Sequence, residues 1–325
     1  MLPTAAIVIP TRGRPAYLDV ALSSILPQAR AAGAEVLVVD DGPDAGTRAV
    51  AERHGARYVL PADGRHGLNV ARNAGIAATD ADLLVFTDDD VAVWDGWLPA
   101  LLDAAASLPD EVGVLTGPIR ARVEDHRFRR CGRESGPVTE QDFGPHDVDA
   151  PHAWGANLAI RRGALDRVGP FDPALSGGGD EEEWERRWLA SGGRIRSIAA
   201  AGVDHCRAGD DARLRALCRA ARGRGREARA YDQRRGAAPP VLAELRTLAR
   251  CALHGPLHRC FMGPVTTWHS LGRLQAALRP GPPPPAQPGV DDFLSGRSGT
   301  SGGRRGQHPR PADPTLPARY ARRAP

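Results

Sequence analysis

Three consecutive aspartates, Asp88 to Asp90, directly follow the apolar segment 82–87. If that segment is a strand, side chains two residues apart share a face, so Asp88 and Asp90 face one ligand while Asp89 points away. Two carboxylates on one face suit a hard divalent cation such as Mg²⁺ or Mn²⁺. A solvated acidic turn is the alternative, and the apolar strand that leads into the cluster favours the cation.

Two further acidic clusters and one histidine also carry groups that suit chemistry. Asp41 follows the apolar segment 35–39, where its carboxylate can accept from a nucleotide base or a ribose, although a helix cap and turn is the alternative. Residues 177–183 place three glycines before four acids, so a carboxylate at the start of a helix could point into a cleft. The alternative is that these acids only stabilise the helix through its dipole. His205 could complete an ion site begun by carboxylates, although a lone histidine is more often structural.

The apolar segments predict the framework that brings these clusters together. Strands are predicted over residues 5–9, 35–39 and 82–87, and helices over about 15–26, 45–54 and 68–78. This alternation predicts an α/β fold with a mixed, mainly parallel sheet and flanking helices. In such sheets ligands bind beyond the carboxyl ends of the strands, where both aspartate clusters lie.

Composition restricts the location and the class of the protein. The 325 residues contain no apolar run of the roughly 18–20 residues that a membrane span needs, and the N-terminus lacks the features of a signal peptide. Five scattered cysteines form no Cys-x-x-Cys pair, which argues against a zinc cluster or a disulfide framework. We therefore expect a cytoplasmic protein.

The C-terminal third differs from the rest in charge and composition. The chain has no lysine, and its arginines concentrate after residue 186, which implies an anionic partner. Residues 207–279 are predicted to form a helical, arginine-rich extension, and residues 280–325, rich in Pro, Gly and Arg, a disordered tail. Leu214, Leu217 and Cys218 form an apolar stripe beside arginines, which suits peripheral contact with an anionic inner membrane face; a basic helix packed on the preceding domain is the alternative. Residues 241–278 would extend this module.

Taken together, the motifs over residues 5–205 resemble those of the GT-A-fold glycosyltransferases of family 2. The order of the motifs along the chain carries the resemblance, because each one is weak alone. They are Ile9-Pro10-Thr11-Arg12, Asp40-Asp41-Gly42, the segment 67–73, Asp88–Asp90, Gly155-Ala156-Asn157, the segment 168–172, Gly178-Gly179-Asp180-Glu181 and His205. The resemblance implies a Rossmann-like GT-A catalytic domain over residues 1–206.

The resemblance also implies an activity, which is inverting transfer of a sugar from a nucleoside-diphosphate-sugar donor to an acceptor hydroxyl. It assigns donor contacts to Thr11, Asp41, Arg72 and Asp88, and a divalent cation, Mn²⁺ or Mg²⁺, to Asp90 and His205. The general base is Glu181 or Asp180, because the family usually shows Glu-Asp where this chain has Asp-Glu.

The acceptor side is predicted from one family segment and two aromatic residues. Asn157 lies in the acceptor segment, and Trp154 and Trp184 could stack on sugar rings, although core packing is the more common role of a tryptophan. The acceptor is expected to be a saccharide, a lipid-linked sugar or a small molecule. A nucleotidyltransferase and a non-catalytic nucleotide-sugar or nucleic-acid binding module are the alternatives, and a nucleic-acid partner is not expected.

Overall fold

The computed structural model describes residues 2–62, 64–124, 138–175 and 179–278. The described residues form one compact unit. The tail predicted over 280–325 and the first two glycines of the segment 177–183 lie outside the described residues.

Eleven strands in the described residues form two sheets. They are β1 (Ala5–Thr11), β2 (Glu35–Asp40), β3 (Arg57–Val59), β4 (Leu83–Phe86), β5 (Val91–Val93), β6 (Val112–Thr116), β7 (Ile119–Val123), β8 (Val148–Asp149), β9 (Leu158–Arg161), β10 (Arg194–Ser197) and β11 (Val203–Arg207). The large sheet has the order β3-β2-β1-β4-β9-β6-β10-β8, and the small sheet has the order β5-β11-β7. Strands β3, β2, β1 and β4 are parallel, and β9 is antiparallel to both of its neighbours. The predicted mixed, mainly parallel sheet is confirmed.

Helices cover both faces of the large sheet and form the C-terminal part of the unit. They are α1 (Pro15–Ala32), α2 (Ala45–His54), α3 (Leu68–Ala77), α4 (Trp97–Ser107), α5 (Arg162–Val168), α6 (Asp180–Ala190), α7 (Gly209–Ala212), α8 (Leu214–Arg234), α9 (Val241–His258) and α10 (Met262–Leu278). Alternation along β1 sends Ile7 and Ile9 into one core and Val8 into the other. Two apolar cores therefore fix the sheet from both sides.

The small sheet brings the end of β11 to the end of β4. His205 is in register with Val91 of β5, and the Cys206 amide donates to the Asp90 carbonyl over 2.8 Å. The strand pairing therefore fixes His205 beside the aspartates, although more than a hundred residues separate them along the chain.

The helical extension has its own small apolar core. Leu217 and Cys218 of α8 are buried there with Met262 and Val265 of α10. Two glycines allow the helices to touch: a Cβ on Gly225 would come within 2.0 Å of a carbonyl oxygen of α10, and one on Gly272 within 2.1 Å of a carbonyl oxygen of α8. The apolar stripe on α8 packs inside the protein against α10 and Val123 of β7, which agrees with a helix packed on the preceding domain and not with membrane contact by this stripe.

Candidate active site

The acidic cluster after β4 splits into two directions, and Asp89 and Asp90 lie in a turn between β4 and β5. Asp88 and Asp90 meet His205, and one ligand atom from each of the three lies within 4.8 Å of the others. The Asp89 carboxylate turns away, accepts from Thr11 Oγ1 over 2.7 Å and pairs with Arg14. Only the side chain of Asp88, 31% exposed, opens this cluster to solvent.

The atoms of this cluster fit a hard divalent cation. His205 Nε2 lies 3.0 Å from Asp90 Oδ1, and among the described residues neither of these buried atoms has another hydrogen-bond partner. Neighbouring ligands of an octahedral ion with bonds of about 2.1 Å are themselves about 3.0 Å apart. An ion bound by these atoms would satisfy two polar groups that are otherwise costly to bury.

Two arginines that sequence reasoning missed also contact the cluster. Arg14 Nη1 lies 2.7 Å from Asp90 Oδ2, and Arg207 Nη1 contacts the same oxygen. Burial alone would raise the pKa of Asp90, but His205, Arg207 and Arg14 together lower it well below its usual range. The signal for Arg207 was present in the sequence, because it lies two residues after His205 on β11 and so shares its face.

The carboxyl ends of β1 and β2 carry two of the residues predicted to contact the nucleotide, Thr11 and Asp41. The Asp41 amide donates to the Thr11 carbonyl over 2.8 Å, which places these two residues side by side on neighbouring strands. Asp41 Oδ1 accepts from the Gly67 amide at the start of α3 over 2.6 Å. Thr11 and Asp41 therefore lie at the same edge of the sheet as the aspartate cluster.

A second group of charges lies where α6 begins. Arg72 of α3 is buried, and its Nη1 lies 2.7 Å from Asp180 Oδ2 and 3.6 Å from Glu181 Oε2. The Gly155 amide donates to Glu181 Oε1 over 3.2 Å, and a Cβ on Gly155 would come within 2.1 Å of the Arg72 guanidinium. The structure therefore places Arg72 against the two acids that were predicted to supply the base.

The two acids differ in their protonation. Burial and the neighbouring Glu181 charge raise the pKa of Asp180 well above its usual value. Burial would also raise the pKa of Glu181, but Arg72 and the hydrogen bonds from Asp180 and the Gly155 amide outweigh it and lower that pKa. The two carboxyls are close enough to share one proton, and these pKa directions favour Glu181 as the one that carries the negative charge.

A cavity of about 590 Å³ opens beside these acids. Asp180, Glu181, His152 and Trp154 line one side, and residues of α8 and α10, including Tyr231, line the other. Tyr231 packs directly on Gly179, whose φ is +77° and where a Cβ would come within 2.4 Å of the ring. The extension therefore contributes one wall of the cavity and contacts the start of α6.

Of the three residues predicted on the acceptor side, only Trp154 lines this cavity. Asn157 is buried, accepting from Trp97 Nε1 over 3.0 Å and donating to the Ala201 carbonyl over 2.8 Å. Trp184 is fully buried, stacks on Trp188 and donates to the Gly169 carbonyl over 2.8 Å. For Asn157 and Trp184 the prediction is corrected, because both side chains already have their partners in the interior.

Comparison with solved glycosyltransferase structures identifies the fold as GT-A. "GalNAc-T7 with UDP, GalNAc and Mn2+" aligns with 80% of this chain and 56% of its own, at a TM-score of 0.53 and 17% identity. The mannosyltransferase PcManGT from Pyrobaculum calidifontis, solved with GDP-Man and Mn2+, aligns with 91% of this chain and 80% of its own, at a TM-score of 0.51 and 19% identity. At these identities the likeness shows the fold alone.

The chain belongs to glycosyl transferase family 2, whose model matches residues 6–169. A pre-mycofactocin glycosyltransferase of Mycobacterium tuberculosis is 30% identical over 212 residues, 61% of this chain and 42% of the relative. A validoxylamine A glucosyltransferase of Streptomyces hygroscopicus is 29% identical over 211 residues, which cover 56% of this chain and 50% of the relative. Glycosyltransferase AglE of Haloferax volcanii is 25% identical over 198 residues, which cover 59% of this chain and 63% of the relative. The matched region thus spans about half the length of these curated relatives.

Proposed function

We propose that this chain is an inverting, metal-dependent glycosyltransferase that moves a sugar from a nucleoside-diphosphate-sugar donor to an acceptor hydroxyl. The observation that carries the proposal is the proximity of a candidate cation site to a buried carboxylate. Thr87, the neighbour of Asp88, donates to the Ala156 carbonyl over 3.0 Å, and the adjacent Gly155 amide donates to Glu181 over 3.2 Å, so two hydrogen bonds connect the two groups. The relatives named above carry the same class of activity in their names.

The donor half of the site consists of the aspartate cluster and the end of β2. Asp41 would accept from the base, with Thr11 beside it, and Asp88 would lie near the ribose. Asp90 and His205 would hold a divalent ion, Mn²⁺ or Mg²⁺, which neutralises charge on the departing diphosphate. Arg14 and Arg207, which contact Asp90, add positive charge at the same place.

The acceptor half of the site consists of Glu181 and the cavity beside it. Glu181 would take the proton of the attacking hydroxyl, a step that general bases accelerate by about 10²–10⁴-fold. Asp180 would keep its proton and hold Arg72 in place. One displacement inverts the anomeric centre without an enzyme nucleophile. We assign catalysis to residues 1–206 and the far wall of the acceptor cavity to residues 207–279.

The cavity favours a small acceptor or the end of a larger one. Its volume of about 590 Å³ lies within the range of about 300–1,000 Å³ typical of small-molecule sites. Trp154, half-buried and in contact with the His152 ring at 5.0 Å between centroids, offers an apolar face to a sugar ring.

A donor screen tests the proposal. The chain is incubated with Mn²⁺ and a panel of UDP-, GDP- and dTDP-sugars, with simple glycosides as acceptors, and nucleoside diphosphate release is followed with and without EDTA. We expect release from one donor that EDTA abolishes, and its loss in Glu181→Gln with donor binding retained. Absence of both turnover and donor binding by calorimetry would refute the proposal and favour the binding-module alternative.

A further inference from the structure

Most of the solvent-facing side of α9 is apolar, and Arg246 is the one charged residue within that apolar arc. Eight of its exposed residues fall within an arc of about 160° when spaced at 3.6 residues per turn. They are Val241, Leu242, Leu245, Ala249, Ala252, Leu253, Pro256 and Leu257. The leucines are far from buried, with Leu253 60% and Leu257 72% exposed. A surface helix ordinarily turns such a face inward, so this one requires an explanation.

The opposite side of α9 fixes this orientation. Glu244 and Cys251 are buried, and the Glu244 carboxylate lies 2.8 Å from Arg273 Nη2 of α10 and 3.3 Å from Arg229 Nη1 of α8. A buried carboxylate that loses its cations is strongly destabilising, so α9 cannot easily rotate its leucines inward. The apolar face therefore remains exposed in the folded unit.

The exposed charges that α9 itself carries are positive. Arg246 lies inside the arc near one edge, Arg250 lies just beyond that edge, and Arg259 follows the helix. The single acid of α9, Glu244, is on the buried side. A second copy docked on this face around a two-fold axis would bring these arginines towards their own counterparts. An anionic lipid surface satisfies both the leucines and the arginines.

We propose that α9 adsorbs to anionic lipid surfaces, with Leu253 and Leu257 entering the acyl boundary and Arg246 and Arg250 binding headgroup phosphates. The contact is independent of the transferase reaction, because none of these residues lines the cavity or the aspartate cluster. The sequence already suggested that residues 241–278 extend a membrane-proximal module, and the structure leaves α9 as the exposed part of it, since the apolar stripe of α8 is buried.

Vesicle flotation tests this assignment. The full chain is mixed with vesicles of phosphatidylcholine, with or without phosphatidylglycerol, and the floating fraction is measured. We expect binding to the anionic vesicles alone. Leu253→Glu/Leu257→Glu should reduce partitioning by on the order of tenfold per leucine, whereas Leu2→Glu, the same change at an exposed leucine outside α9, should not. Arg246→Gln/Arg250→Gln should cost roughly fivefold per arginine and flatten the salt dependence.

Thermal unfolding and nucleotide binding show whether each variant is folded. Failure of the unaltered chain to float with anionic vesicles overturns the proposal, as does equal binding by Leu253→Glu/Leu257→Glu. A dimer by light scattering that this double variant converts to a monomer, without any vesicle binding, would assign the face to a second copy instead.

Discussion

Replacing Arg72 by Met should change the pH dependence of transfer as well as its rate. The guanidinium lies 3.6 Å from Glu181 Oε2, a separation that corresponds to about 5 kcal/mol of attraction at an effective dielectric constant of about 20. Removing a neighbouring cation typically raises a carboxyl pKa by about 1–3 units. Because a general base must be ionised, the acid limb of kcat/KM should move upward by about that amount, and activity should recover as pH rises.

The assay is nucleoside diphosphate release across pH 5–9, with Arg72→Lys as the matched control that keeps the charge. Loss of the buried cation should also lower the free energy of unfolding by about 3–5 kcal/mol, so each variant is measured below its own melting temperature. Donor affinity by calorimetry should hold if Arg72 acts through the acids, whereas the donor contact that the sequence predicted for Arg72 would lower it. Parallel pH profiles for Arg72→Met and the unaltered enzyme would refute an electrostatic role for Arg72.

Three further changes test other parts of the site. Gly179→Ala should destabilise the protein by about 1–3 kcal/mol and lower kcat, because φ is +77° and the new Cβ meets Tyr231. In Gly179→Ala/Tyr231→Ala the clash is relieved but the backbone strain stays. A melting temperature of Gly179→Ala equal to that of the unaltered chain would contradict this reasoning. Burial raises the pKa of Glu185 to about 9, so the folded state keeps a proton that the unfolded state loses above about pH 4.5. Stability is therefore lost as pH rises from there to about 9, and Glu185→Gln should gain over the unaltered chain by up to about 1.4 kcal/mol per pH unit, seen as diverging urea midpoints, with Glu111→Gln as the exposed control. Trp154→Ala should raise the acceptor KM several-fold and leave donor affinity unchanged; the reverse pattern by initial-rate kinetics would place Trp154 on the donor side.

Local patterns in the sequence were sufficient to predict the sheet and the aspartate cluster. Apolar runs of strand length that end in acids predict parallel strands with a polar carboxyl edge, and period-two alternation predicts the separation of Asp89 from Asp88 and Asp90, which a turn produces. The comparisons confirm the fold and the family, while the roles of the individual site residues remain predictions.

Other features depend on tertiary contacts that no local pattern encodes. Arg72 pairs with acids more than a hundred residues away, so its spacing in the chain gives no indication of that contact. The sequence cannot distinguish a buried tryptophan such as Trp184 from an exposed one, because both belong to amphipathic segments. The burial of Leu217 likewise follows from α10 packing on α8, which the periodicity of α8 does not predict.

The glycine contacts between α8 and α10 limit how this protein can recombine with its relatives. Gly225 and Gly272 each press against the backbone of the other helix, so a crossover between the two helices would place a foreign side chain where only hydrogen fits. Tyr231 imposes the same limit on Gly179 at the start of α6. A chimaera that exchanges the extension to alter acceptor choice should therefore inherit α8 and α10 from one parent and retain glycine at position 179.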